Sequence, residues 1–400
     1  MGHAFTFCVF DTLVRAVEAA GARARYVQNV TDVDDPLFAR ARRDGVDWQE
    51  LAEREQSKFV RDMDALGWRP PDEMPRVSSE IPSILAAIER LADSGHAYEA
   101  DALYFAAGSY PGFGNLSHRS RRSMLRKLRD EELLGEVGPG AKRDPLDFPL
   151  WRASLPGEPA WPSRFGPGRP GWHIECSAMS LRHLGEQVDV HGGGRDLVFS
   201  HHEAERAQSE SLTGCVPFAK LWMHTGLVRY EGRKMSKSLG NLVDVDQALR
   251  RAPAAAIRLY LLSHRYRRDW EFSWPGLERV AAFTARLQHL VGDRRAAGPR
   301  NEVGRLGAGA GPRDQQGDLW VGEPPGAPAG AGPRDQEGDL WVGEPPGAPA
   351  ELRASFKQAL RDDLDTTAAI GALRHAVRAG EPELARWMLG ILAGDASLES

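Results

Sequence analysis

An α/β doubly wound parallel sheet is the fold class this 400-residue sequence predicts. Three observations carry that expectation. Helical and strand patterns alternate from Trp172 to Val228, the order of a parallel sheet crossed over by helices. Arg25-Tyr26-Val27-Gln28-Asn29-Val30 reads as a short buried strand ending in the acidic turn Thr31-Asp32-Val33-Asp34-Asp35-Pro36. The turns after Val30, Val190 and Val228 hold the most unusual strings, and ligands of such sheets sit beyond the carboxyl ends of the strands.

The first element is a helix running from the amino terminus through Val9, Leu13, Val14 and Val17. After the 25–30 strand, apolar spacing predicts two helices, over 36–66 and 80–95. The second carries Ile84, Leu85, Ile88 and Leu91 and stops near Gly95. Leu103-Tyr104-Phe105 reads as a strand entering a Gly/Ser/Arg-rich insertion, about 106–146, inside a catalytic α/β domain spanning 1–230. A loop and helical region follows over 231–295. Residues 309–329 and 330–350 are near-identical copies differing at Gln316 and Glu337. Rich in Pro and Gly and poor in apolar residues, they read as a disordered linker over 296–350 rather than a solenoid. Phe356, Leu360, Leu364, Ile370 and Leu373 mark a small helical domain over 351–400.

The formal charge is −5, so a molecule-wide basic field for nucleic acid is absent and any RNA contact needs a local patch. Arg119, Arg121, Arg122, Arg126, Lys127 and Arg129 offer one in the insertion; an ordinary solvated helix face is the alternative. Three cysteines cannot build a disulfide framework, which predicts a reducing, cytoplasmic setting. No apolar run is long enough to span a bilayer, so no membrane partner is expected. Nothing in the sequence fixes an oligomeric state.

Lys234-Met235-Ser236-Lys237-Ser238-Leu239-Gly240-Asn241 concentrates two ammonium groups and two hydroxyls beside a glycine. That suits a loop closing on a polyphosphate, although a Lys/Ser turn alone also fits a solvated surface. A second cluster comprises Cys176, His201 and Glu205, the last two placed four apart so that one helix face carries both. Sulfur, nitrogen and oxygen donors suit zinc; a buried cysteine beside surface histidines is the alternative. The glycines of His191-Gly192-Gly193-Gly194 favour a ligand, since they allow close backbone approach.

Gly2-His3-Ala4, GWHIECSAM from Gly171, HGGGRDL from His191, HHEAE with AQSE after it, and KMSKSLGN from Lys234 resemble the ordered motifs of cysteinyl-tRNA synthetases, a class I aminoacyl-tRNA synthetase family. The likeness covers roughly residues 2–290. It implies a Rossmann-like sheet with an insertion and a C-terminal helical region, and a reaction in which ATP and L-cysteine give cysteinyl-adenylate, with transfer to tRNA(Cys). Zinc would be held by Cys176, His201 and Glu205, and Mg2+ would accompany the phosphates. His3, Lys234 and Lys237 would stabilise phosphate charge. Gly2, His3, Thr6, Asn29, Thr31, Trp172, Gly194, Asp196, Val228 and Lys237 would line the amino-acid and nucleotide pocket. Thr6 as a mere helix hydroxyl and Trp172 as a core aromatic are the plain alternatives.

Members of that family carry a strand with a further zinc-ligating cysteine ahead of the motif matched by Gly2-His3-Ala4. The sequence starts after both, which raises a misplaced start or a truncated, inactive paralogue as an expectation to test. The related mycothiol-pathway cysteine ligase activates cysteine identically but passes it to the amine of glucosaminyl-inositol. Tyr26–Phe38 and the compact C-terminus look like that enzyme. Arg129-Asp130-Glu131-Glu132-Leu133-Leu134-Gly135-Glu136 does not match its insertion, and Glu205 completes a synthetase-type zinc shell. The resemblance therefore implies tRNA(Cys) as acceptor, with glucosaminyl-inositol second.

Overall fold

A computed structural model describes residues 1–130, 142–235, 240–292 and 341–394. Its centre is a parallel pair, β5 (Val188–Gly194) and β6 (Ala219–Thr225), in register from Val188 opposite Ala219 to Gly194 opposite Thr225. Helices cover both faces. Leu181 and Leu184 of α6 (Trp172–Leu184) pack on Val188, Phe218 and Ala219, and α6 lies against α7 (Glu203–Thr213). On the other face, α1 (Gly2–Ala19) brings Phe10 so close to Gly192 that a Cβ there would lie 2.2 Å from its ring.

The class is therefore α/β with helices on both sides of a parallel sheet, as the alternation of patterns implied. The 25–30 strand is the exception. It makes only isolated parallel bridges, Val27 to Glu73 and Val30 to Arg76. The amides of Gln28 and Val30 donate to the carbonyls of Glu73 and Pro75, at 3.1 and 2.8 Å. Pro75 has no N–H to return, so the ladder cannot lengthen.

The helix expected over 36–66 is two helices, α2 (Asp35–Asp44) and α3 (Trp48–Ala65). Gly45 ends α2 at φ 64°, and the carboxylate of Asp47 starts α3 by accepting from the amides of Gln49 and Glu50. The helix α4 (Val77–Asp93) buries Val77, Ile81, Ile84, Ile88 and Leu91 at helical spacing. An antiparallel sheet of β1 (Ala97–Glu99), β2 (Leu103–Phe105), β3 (Phe148–Arg152) and β4 (Arg169–Pro170) borders the insertion, which contains α5 (Arg121–Asp130). Beyond β6, β7 (Val228–Tyr230) pairs antiparallel with β8 (Arg233–Lys234) and parallel with β9 (Trp270–Glu271).

The carboxyl-terminal helices do not stand apart. The helices α8 (Val245–Leu249), α9 (Ala254–Leu262), α10 (Trp274–Gly292), α11 (Ala350–Arg361), α12 (Thr366–Ala379) and α13 (Pro382–Ala393) share one apolar core with α1. A fully buried ion pair ties the two ends together. Arg258 of α9 donates Nη2 to Asp11 of α1, Nε to the carbonyl of Leu392 (2.7 Å), and Nη1 to those of Leu66 and Gly67 (both 3.3 Å). Each guanidinium edge thus has a partner, which burial of a charge demands.

Part of the expected linker is also packed. Trp341 is buried, Val342 N donates to Ala19 O at 2.7 Å, and Glu344 pairs with Lys357 and Arg353 at 2.6 and 3.1 Å. The last residues of the second repeat thereby cap the end of α1. The rest of that stretch, 293–340, lies outside the described residues.

Candidate active site

The thiol, imidazole and carboxylate singled out in the sequence converge. Cys176 of α6, His201 and Glu205 each offer a ligand atom, all within 4.8 Å of one another, and all three residues are buried. The spacing works differently from one helix face. His201 and His202 sit in a single wide turn, Val198–His202, and α7 begins only at Glu203. That turn still carries His201 Nε2 to 3.4 Å from Glu205 Oε1.

The environment fits a cation. Burial pushes the Cys176 thiol well up, and the Glu205 and Glu175 carboxyls push it further, while Asn29 Nδ2 donates to its sulfur at 3.2 Å. Burial holds His201 and His202 below the ordinary imidazole range, so both offer lone pairs at neutral pH. For Glu205 burial acts upward but is outweighed by His201, His191 and His202, which hold the carboxyl well below the usual range. A sequestered S, N and O set of this kind is the donor chemistry of zinc, and three protein ligands are the number found in open zinc sites.

A shell of rings surrounds the three donors. His173 shares an Nδ1–Nδ1 hydrogen bond of 2.9 Å with His201. Burial and then His201 push His173 down to about 3, so it stays neutral and can accept the proton of His201 Nδ1. Trp172 lies 4.1 Å from the His201 ring at 23° and is 43% exposed, which makes it a wall of the cleft rather than a core aromatic. On the other side, His191 Nε2 is 2.9 Å from Glu205 Oε2, and His202 Nδ1 is 2.8 Å from His224 Nε2.

Of the residues expected to line the nucleotide side, Thr6, Gly194 and Asp196 meet at the carboxyl ends of β5 and β6. Thr6 of α1 bonds Thr225 through their hydroxyls at 2.7 Å, so it is not spent on its own helix. Thr225 stands opposite Gly194, whose missing Cβ would lie 2.6 Å from Asp196 Oδ1. Val228 is buried at the start of β7. Gly2 and His3 occupy the exposed first turn of α1, anchored where the Met1 amine donates to Val243 O at 2.6 Å. Thr31 is half-buried at the turn after Val30. The Lys234 backbone pairs with Arg229, and Lys237 lies outside the described residues. A cavity of about 530 Å³ lined by Tyr230, Asn241, Val243, Gln247 and Trp274 flanks that segment, away from the thiol cluster.

The glycine string needs a different account from the one expected. Gly192 yields room to Phe10, and a Cβ on Gly193 would come within 2.8 Å of Leu197 and 3.3 Å of the His202 ring. These two glycines admit the protein's own side chains.

Sequence reasoning quoted His173, Glu175, His191 and His202 within motifs without giving them a role, and did not single out Trp222 or His224. A signal existed for two of them: Trp222 and His224 are two apart in a strand, so both point to one face. Glu175 is buried with neither carboxylate oxygen hydrogen-bonded to a described residue, and burial, then Asp34 and Asp32, push it well above the usual range.

Fold and site together define an α/β protein with a buried thiol-imidazole-carboxylate centre beside its parallel strand pair. Residues 1–282 match the family described as tRNA synthetases class I (C) catalytic domain, and the chain belongs to that family. It is 50% identical over 294 residues to an L-cysteine:1D-myo-inositol 2-amino-2-deoxy-alpha-D-glucopyranoside ligase of Frankia alni, covering 73% of this chain and 70% of that one. It is 46% identical over 293 residues to a cysteine–tRNA ligase of Dehalococcoides mccartyi, covering 73% of this chain and 62% of that one. The chain thus spans less than two thirds of the latter. The fold resembles Mycobacterium tuberculosis methionyl-tRNA synthetase in complex with methionyl-adenylate, at TM-score 0.65 and 15% identity over 98% of this chain and 88% of that one.

Proposed function

We propose that the protein is an ATP-dependent, cysteine-activating ligase that forms cysteinyl-adenylate and passes the cysteinyl group to tRNA(Cys). The observation that carries activation is the buried Cys176–His201–Glu205 set beside the carboxyl ends of the central strands. In this reading a cysteine carboxylate oxygen attacks the α-phosphorus of ATP. The bond to the bridging oxygen of the β-phosphate breaks, and pyrophosphate leaves. His3, Lys234 and Lys237 stabilise the charge on the phosphate oxygens, with Mg2+ accompanying them. Asn29 steadies the Cys176 sulfur, and Trp172 closes the cleft over His201. Zinc bound to Cys176, His201 and Glu205 supplies a soft centre that a thiolate ligates and a serine hydroxyl does not. An apolar pocket would separate those near-isosteres poorly.

The choice of acceptor rests on α5. Met124 and Leu128 bury toward Phe199, two residues before His201, and leave Arg122, Arg126 and Arg129 exposed. A face of guanidinium groups suits the phosphates of an RNA acceptor end. Glucosaminyl-inositol carries no phosphate and brings an amine, so it has no use for that face. The second reading, transfer to that amine, is favoured by the 50% identity to the Frankia alni ligase. A cytoplasmic location goes with either acceptor, since Cys8, Cys176 and Cys215 are free thiols.

Cysteine-dependent ATP–pyrophosphate exchange tests activation, and parallel assays with tRNA(Cys) and glucosaminyl-inositol test the acceptor. Charging of tRNA that weakens with salt, and weakens less steeply in an R122E/R126E variant, supports the first reading. Turnover of the sugar alone selects the second. Absence of cysteine-dependent exchange defeats both.

A further inference from the structure

We infer that His191 is a positioning residue for Glu205: its Nε2–H ties down one carboxylate oxygen so that the other is presented to the metal. The inference rests on the zinc reading above and adds a residue to it.

The geometry divides the Glu205 carboxylate in two. Oε1 faces His201 Nε2 at 3.4 Å, on the Cys176 side. Oε2 faces His191 Nε2 at 2.9 Å, a hydrogen-bond length, in a site where Glu205 is 1% exposed. With water excluded, Oε2 needs a protein donor, because a carboxylate oxygen buried without one is costly. His202 is not placed to serve. Its Nε2 is 3.8 Å from Oε2, and its Nδ1 is engaged with His224.

His191 is itself held by strand geometry and by rings. It sits on β5 directly opposite Trp222 of β6. Its ring centroid is 4.9 Å from that of Trp222, 5.5 Å from Phe218 and 5.0 Å from His202, the last edge-on at 82°. An imidazole so caged cannot swing away, whereas Glu205 has several side-chain torsions to fix. Donors that orient a metal-binding carboxylate from outside in this way change metal affinity by about 10–100-fold.

His191, His202 and Glu205 also form a group compact enough to hold an ion of their own. The 2.9 Å separation argues for a hydrogen bond, since a tetrahedral zinc holds its nitrogen and oxygen donors about 3.3 Å apart.

The test is zinc titration of the full-length apo-protein against a chromophoric chelator, comparing the parent with H191L, H191N and H191Q. Thermal melting of the apo forms selects the variants that fold. We expect one zinc per chain throughout. Affinity should fall about 10–100-fold in H191L and in H191N, whose amide is too short to reach. H191Q, whose amide N–H reaches as far as Nε2, should recover most of the loss. Undiminished affinity in H191L or H191N overturns the inference. So does a stoichiometry of two that drops to one, which would make His191 a ligand. A parent protein that takes up no zinc overturns the proposed amino-acid selection, and this inference with it.

Discussion

The end of the cleft proposed to take the amino acid and the end proposed to take the phosphates are built in opposite ways. At the first, every donor comes from regular structure or a turn locked to it: Cys176 from α6, His201 from the Val198–His202 turn, Glu205 from α7. These groups are buried and held by rings and short hydrogen bonds. At the second, the groups proposed for phosphate chemistry sit at the edges of their elements: His3 in the exposed first turn of α1, Lys234 at the end of a two-residue strand. The contrast suits the proposed tasks. Telling a thiol from a hydroxyl needs fixed donors in a dry setting, whereas polyphosphate can be gripped by long cationic side chains at the surface.

Four substitutions would break or sharpen that contrast. The largest effect is expected from C176S, which removes the soft donor. Zinc affinity should fall by more than about 100-fold, beyond the range for outer-shell changes, and cysteine-dependent pyrophosphate exchange should vanish. Zinc retained at parental affinity would mean that the amino-acid end is organised otherwise. R258M should disturb both ends alike. Asp11 keeps Arg15 Nε at 3.1 Å and the Arg69 amide at 3.0 Å, but the buried carbonyl of Leu392 loses its donor, which costs about 1–3 kcal/mol, seen as a lower urea midpoint. An unchanged midpoint would show that the two halves are stabilised separately. K237A should touch the phosphate end alone, lowering exchange by about 10²–10³ while zinc content stays at the parental level. Coupled loss of zinc would erase the division.

The smallest effect concerns pH. Burial, then Asp35, pushes Asp34 up to about 6, in the turn facing Glu175. A carboxyl raised on folding favours its protonated form. Its stabilisation is therefore complete below the ordinary value near 3.8 and lost as pH rises through about 6. Between pH 4 and 7 the parent should lose about 1.5 kcal/mol at this group, allowing for partial exposure, and D34N should not. Parallel pH–stability curves for the two proteins would refute the assignment.

Part of the candidate site was legible because its chemistry is written locally. Cys176, His201 and Glu205 stand out by residue type and spacing, and the structure brings them together, whereas Lys237 lies outside the described residues. The supporting shell was not legible. His191 meets Glu205, and His224 meets His202, only because β5 and β6 pair and α7 packs over them. The glycines misled for a similar reason: the bulk they admit belongs to Phe10, Leu197 and His202, which no window around Gly192 reveals. In the fold, local signals again fared best. The periodicity of α4 was plain, while the break at Gly45 needed its left-handed cap and the Asp47 cap to be read together. The pairing of 25–30 failed as a strand because its neighbour carries Pro75. Trp341, read as part of a featureless repeat, found a partner in helices before and after it.

The union of α1 with α13 has a consequence for synthesis. Asp11 leaves the ribosome well before Arg258, and the carbonyl of Leu392 follows later still. Until α13 emerges, a carboxylate and then a guanidinium wait without full company, and the apolar side of α1 waits with them. Nascent chains should therefore become protease-resistant only once α13 has emerged.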